Sequence, residues 1–195
     1  MEDRQLNEKE SLELISQMIR NTQQRFQKQN AAPFLVFGYV TVMLSVIIWY
    51  LIRITDNYNW NLLWFSIPVF GFLGLKLFFP ARRKMVKTFI DTTIHYVWLV
   101  CGITMILLSI LAFFKNLPVL FLILVIISIA TTITGLISKM KFIIFAGILN
   151  ILSSGLILFG VVKGINQILL FGAIFFVVMV LPGHILYSRK NNNHV

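Results

Sequence analysis

Six apolar runs, each about one bilayer long, constrain this chain more than any other feature. They span residues 33–52, 60–79, 92–114, 117–138, 142–162 and 165–187. A hydrocarbon core about 30 Å thick is crossed by about 20 helical residues rising 1.5 Å each. Breaks as short as "KN" at 115–116 leave room only for tight turns, so consecutive runs form hairpins. Lipid offers no partner for backbone N–H and C=O groups, so runs with open edges must be helices. Composition points the same way. Charged residues make up 12% of the chain, against about 25% in soluble domains. With 58% hydrophobic residues, a water-soluble fold would have too little polar surface to cover itself. The expected fold is therefore all-α and polytopic. A cytoplasmic amphipathic helix occupies residues 1–30, a six-helix transmembrane domain 31–188, and a short cytoplasmic tail 189–195.

Charge sets the expected orientation. The seven carboxylates are Glu2, Asp3, Glu8, Glu10, Glu13, Asp56 and Asp91, and five of them precede residue 14. The formal net charge of +10 raises a nucleic-acid reading. That reading fails on placement, because the cations sit in short breaks between apolar runs and form no continuous face. They fit orientation signals and contacts to anionic lipid. With the N-terminus inside, fourteen of the seventeen Lys and Arg fall on the cytoplasmic side, and only Arg53, Lys115 and Lys163 fall outside. The positive-inside rule then puts both termini in the cytoplasm. Trp49, Tyr50, Tyr58, Trp60 and Trp64 gather at the outer interface, and Tyr96, Trp98 and Tyr187 toward the inner one, as an aromatic belt requires. No apolar stretch of signal-peptide type opens the chain. Cys101, the single cysteine, has no internal disulfide partner and no second thiol for a metal site.

The first thirty residues are a different material. In "NEKE", Asn7 and Glu10 have capping-box spacing. Leu12, Ile15, Met18, Ile19, Thr22 and Phe26 then recur at helical spacing as one apolar stripe. Residues 7–29 read as an amphipathic helix, with Pro33 opening the first span. Such a helix can lie on lipid headgroups, pack on the inner loops, or bind another protein through Leu12, Ile15, Ile19 and Phe26.

Few residues could carry chemistry. Asp91 and His95 are four apart at the start of the third run and share a helical face. An acidic residue at a helix N-terminus is stabilised by the macrodipole, so Asp91 needs no further role. His184, in "LPGHILYSR", lies about one turn from the inner end of the sixth run. If the third and sixth spans touch, Asp91, His95 and His184 form one polar cluster able to take a metal or respond to pH. Ordinary interfacial hydrogen bonding is the simpler expectation. No metal-ligand spacing stands out, and the chain shows no cofactor motif. The spans hold no mid-depth Asp, Glu or Arg, the groups that usually mark ion-coupled pumps.

Asn150 is the deepest strong polar group, near the middle of the fifth run. Ser128, Thr131, Thr132, Gly135 and Ser138 form a stripe in the fourth run, and Gly147, Ser154 and Gly155 follow in the fifth. Small residues let helices approach closely, and hydroxyls bond across the contact. Tight packing of spans four and five is the favoured reading. A small-solute pocket at Asn150, Thr131 and Thr132 is the alternative. Catalytic signatures are missing: no triad order, no HExxH and no phosphate-binding glycine loop. Arg82, Arg83, Lys84 and Lys87 form the largest basic break. They serve as a positive-inside anchor or hold lipid headgroups.

The opening "ESLELISQMI", the run "FLVFGYVTV", the basic link into the third span and the closing "LPGHILYSR" together resemble a family of six-span inner-membrane proteins of uncharacterised activity, found mainly in Bacteroidota. The resemblance implies a bacterial cytoplasmic membrane and supplies no catalytic residues. A looser likeness, in length and span count alone, is to the substrate-binding subunits of energy-coupling vitamin transporters. The small-residue AxxxA pattern of their docking helix is absent from span one. The resulting expectation is a non-enzymatic membrane component for interaction, regulation or sensing. The alternative is a solute-binding or transport component with a pocket among spans four to six.

Overall fold

The computed structural model describes residues 8–79, 89–115 and 117–191, with the backbone alone described at 8–10, 15, 18–30 and 189–191. All its regular elements are helices. α1 covers Glu8–Thr55, α2 Ile67–Phe78, α3 Phe89–Phe114, α4 Val119–Ile137 and α5 Lys141–Leu158. The last span is built from α6 (Asn166–Phe175), a π-helical turn (Phe176–Val180) and α7 (Leu181–Asn191). Six helices are long and apolar enough to cross a membrane, which makes the chain an all-α, multi-pass membrane protein. With six spans, both ends of the bundle's chain emerge on one side.

Two elements differ from the sequence expectation. α1 does not begin anew at Pro33; it runs unbroken from Glu8 to Thr55 with Pro33 inside it. Proline removes one N–H, so the carbonyl of residue 29 loses its donor. That carbonyl lies just ahead of the apolar span Ala31–Thr55, where water can take the donor's place. The second span is only partly α-helical. Tyr58–Ser66 form a 3₁₀ helix that passes into α2 at Ile67. Pro68, in the first turn of α2, donates no backbone hydrogen bond back to the 3₁₀ stretch. A 3₁₀ helix rises about 2.0 Å per residue, so these two pieces still cross a bilayer core. Asn57 caps the start, its Oδ1 accepting from the Asn59 N–H at 2.9 Å.

The bundle closes through α1, while the second and third spans, consecutive in sequence, pack little on one another among the described residues. α1 packs on the second span and on the last, and α3 packs on α4. α4 and α5 make the most extensive helix pair. Phe65 of the second span stacks on Phe113 of α3 at 6.0 Å, and Trp64 meets Phe171 of α6 edge-on at 5.3 Å. One apolar core runs through Phe34, Ile94, Leu124, Ile143, Phe171 and Val178. A second cluster at the other end of α1 gathers Leu44, Ile48, Ile52 and Ile168.

Close approach holds α4 against α5. A Cβ on Gly147 would overlap the Thr132 Oγ1 and stand 2.9 Å from the Thr132 backbone nitrogen. A Cβ on Gly135 would stand 2.7 Å from the Ile144 nitrogen. Overpacking such a contact costs about 1–3 kcal/mol. Gly102 of α3, by contrast, has open space where a Cβ would stand. Gly147→Ala should therefore lower the unfolding free energy in detergent by about 1–3 kcal/mol. Gly102→Ala should leave it level or raise it by up to about 1 kcal/mol through helix propensity. Equal effects of the two substitutions would remove the close α4–α5 approach.

Candidate functional site

The interior polar residues are concentrated where α4 meets α5. Ser128, Thr131, Thr134, Ser138, Asn150 and Ser154 are all buried. Most of the hydroxyls turn back on their own helix. Ser128 donates to the Leu124 carbonyl at 2.6 Å, Thr132 to Ser128 at 2.8 Å and Thr134 to Ala130 at 2.7 Å. Asn150 instead reaches across. Its Nδ2 donates to the Leu124 carbonyl on α4 at 3.2 Å. A donor from α3 joins the same region, where Trp98 Nε1 donates to Thr134 Oγ1 at 3.1 Å. Among the described residues two buried oxygens have no partner, Asn150 Oδ1 and Thr131 Oγ1. The three sequence candidates for a pocket therefore sit in a tight helix contact. Thr131 is fully buried and Thr132 half-buried against Gly147.

The structure brings Asp91 and His95 onto one face of α3 and leaves His184 elsewhere. Asp91 is half-buried in the first turn of α3, and His95 is exposed with its ring 6.0 Å from that of Tyr96. His184 of α7 pairs with Tyr39 of α1. Its Nε2 lies 2.7 Å from the phenol oxygen, and the two rings meet edge-on at 5.8 Å. Tyr39 is a residue the sequence reading missed. The signal was present: a phenol within an apolar span needs a hydrogen-bond partner. Among the described residues no three His, Cys, Asp or Glu side chains come together as a metal-binding group.

Two open concavities lie along the last span. One is lined by Ser153, Ala173, Ile174, Val177 and Val178. The larger, about 420 Å³, lies between α1 and the last span, with Val42, Ser45, Val46, Gly172, Ala173 and Phe176 on its walls. Both border the π-helical turn. Asn150, Thr131 and Thr132 line neither.

Leu12 is 66% exposed on the part of α1 that precedes the span, while the side chains of Ile15, Ile19 and Phe26 lie outside the described residues. Arg82, Arg83, Lys84 and Lys87 also lie outside them. No protein-family model matches the chain, and no curated protein or solved structure matches it.

The geometry predicts a structural role for Asn150. Hydrogen bonds between helices in membranes average about 0.6 kcal/mol, and the unpartnered Oδ1 offsets part of that gain. Asn150→Leu should thus change unfolding free energy by less than about 1 kcal/mol. Asn150→Asp, if ionised, should cost at least about 2.5 kcal/mol at this depth. Chemical denaturation in micelles at neutral pH compares the two. A loss well above 1 kcal/mol for the leucine variant would point to a partner bound at Asn150 during the measurement.

Proposed function

We propose that this chain is a non-enzymatic component of a bacterial cytoplasmic membrane, in which the six-span bundle anchors a cytosolic helix that engages a protein partner. The observation that carries the proposal is the exposure of apolar side chains on α1 ahead of its span. Residues 8–30 extend the helix beyond Ala31–Thr55 by about 35 Å at 1.5 Å per residue. Leu12 and Leu14 are exposed on that extension. Leucines displayed on a helix are the usual anchors for a groove on another protein. In the sequence, Ile15, Ile19 and Phe26 continue the stripe that Leu12 begins, at helical spacing, and Leu14 lies off that stripe. The interior supports the same reading, because its hydroxyls are largely spent on their own helices. Little polar surface is left inside the bundle for a transported solute.

A second reading rests on one observation. The unpartnered oxygens of Asn150 and Thr131 are acceptors that a small polar solute could use in a bundle that opens between α4, α5 and the last span. It ranks second because neither residue lines either of the two concavities along the last span.

Mild purification of the tagged chain from its own membrane, followed by mass spectrometry, separates the two readings. The proposal expects a stoichiometric protein that is retained by the wild type and lost on Leu12→Glu or Ile19→Glu, with unchanged membrane levels. A small molecule retained without a protein, and lost on Asn150→Leu, would overturn it in favour of the second reading. Orientation is checked with reporter fusions. A reporter after Lys139 is expected on the cytoplasmic side, and one after Lys115 on the opposite side.

A further inference from the structure

The groove between α1 and the last span is built rather than incidental. Gly172 brings α6 so close to α1 that a Cβ there would stand 2.8 Å from Ser45 Cβ. The Ser45 hydroxyl donates to the Thr41 carbonyl at 2.8 Å and is thereby withdrawn, so the groove presents hydrocarbon only. The π-helical turn Phe176–Val180 places Phe176 and Val177 along the other wall. π turns inside α-helices are rare and recur at functional sites. Val46, Phe176 and Val177 are exposed, so the groove opens sideways, toward the bilayer.

Its end away from the chain termini is positively charged. Val42, Val46, Trp49 and Arg53 follow one another at helical spacing on α1, so Arg53 stands two turns above Val46 on the groove face. The Trp49 indole N–H donates to Asn166 Oδ1 at 3.0 Å and pins this end of α1 to the start of α6. Lys163 lies three residues before that asparagine, and Arg53 one turn beyond that tryptophan. Both cations are exposed. They are two of only three Lys and Arg assigned to this side of the bundle, and Asp56 is the only carboxylate there.

We propose that this groove is a binding site for an anionic phospholipid of the leaflet opposite the termini. One acyl chain lies against Val42, Val46, Gly172 and Phe176, and the phosphate headgroup meets Arg53 and Lys163. Charge selects this occupant. A second copy of the chain pairing symmetrically through the groove would bring its own Arg53 and Lys163 to the same rim and add like charges. A lipid with a negative headgroup satisfies both the apolar wall and the cationic mouth.

The test uses the full chain in mild detergent. Native mass spectrometry follows binding of phosphatidylglycerol and of phosphatidylcholine with the same acyl chains. Arg53→Gln with Lys163→Gln should weaken phosphatidylglycerol binding by about fivefold per cation, the equivalent of about 1 kcal/mol each, and leave phosphatidylcholine unchanged. Ala173→Leu fills the groove at an exposed position and should weaken both lipids while the unfolding temperature holds. The basic residues at 82–87 also attract anionic lipid, so the comparison is between wild type and variants, not a count of adducts. Phosphatidylglycerol binding unaltered by both sets of substitutions would overturn the assignment. So would a dimer that Ala173→Leu dissociates, which would give the groove to a second copy.

Discussion

Close backbone approach is the interaction on which this bundle depends. Lipid tails are as apolar as leucine, so burying a side chain between helices gains little over leaving it in the bilayer. What remains is the fit of surfaces. At each major contact of α1 a glycine on the partner helix, or on α1 itself, makes room. A Cβ on Gly71 of α2 would strike the Phe37 ring, and one on Gly74 would stand 2.8 Å from a Val36 methyl. Gly38 of α1 faces Val180, and Gly183 of α7 faces Leu35. The α4–α5 pair repeats the device with Gly135 and Gly147. The cross-helix hydrogen bonds from Asn150, Trp98, Trp49 and His184, at about 0.6 kcal/mol each, orient the helices more than they hold them.

Departures from the ideal α-helix fall where the bundle needs shape. The 3₁₀ stretch Tyr58–Ser66 carries Trp60, Trp64 and Phe65, and Trp64 reaches Phe171 from it. Its own indole is satisfied locally, Nε1 donating to Asn61 Oδ1 at 3.3 Å. The π turn in the last span interrupts the ladder between α6 and α7 at the level of both open concavities. Backbone irregularity at membrane depth is tolerated where neighbouring protein covers it. Val178, Met179 and Val180 of the π turn are indeed buried.

The spans were legible in the sequence because length and apolarity alone decide them. The six runs coincide with the six membrane-crossing helices to within a few residues at most ends. The α4–α5 contact was the favoured reading too, since a Ser/Thr/Gly stripe lets helices approach closely. Facing within other spans was not legible. Ile143 is fully buried and Phe145, two residues on, is 67% exposed, yet both are strongly apolar. A lipid-facing position looks like a core position, so periodicity loses its meaning inside a bilayer. For the same reason the company of His184 could not be read. Depth suggested His95, but lateral packing decides partners, and α1 rather than α3 lies against α7. Pro33 was read as a helix start because proline is favoured there; it serves equally at a boundary where water replaces the lost donor.

Polar bookkeeping then directs attention away from the bundle's interior. Hydroxyls at Ser45, Thr104, Ser109, Ser128, Thr132, Thr134 and Ser138 all donate to the carbonyl four residues earlier on their own helix. A hydroxyl so engaged has already given its one proton and offers a ligand only acceptor capacity. A solute path lined by such groups would need them to release those bonds first. The ends of the bundle carry no such obligation. Leu12 and Leu14 are exposed on the extension of α1, and Arg53 and Lys163 are exposed at the opposite end. Recognition at either end leaves the packed interior undisturbed, whereas recognition at Asn150 must separate α4 from α5 at the glycine contacts that hold them most tightly.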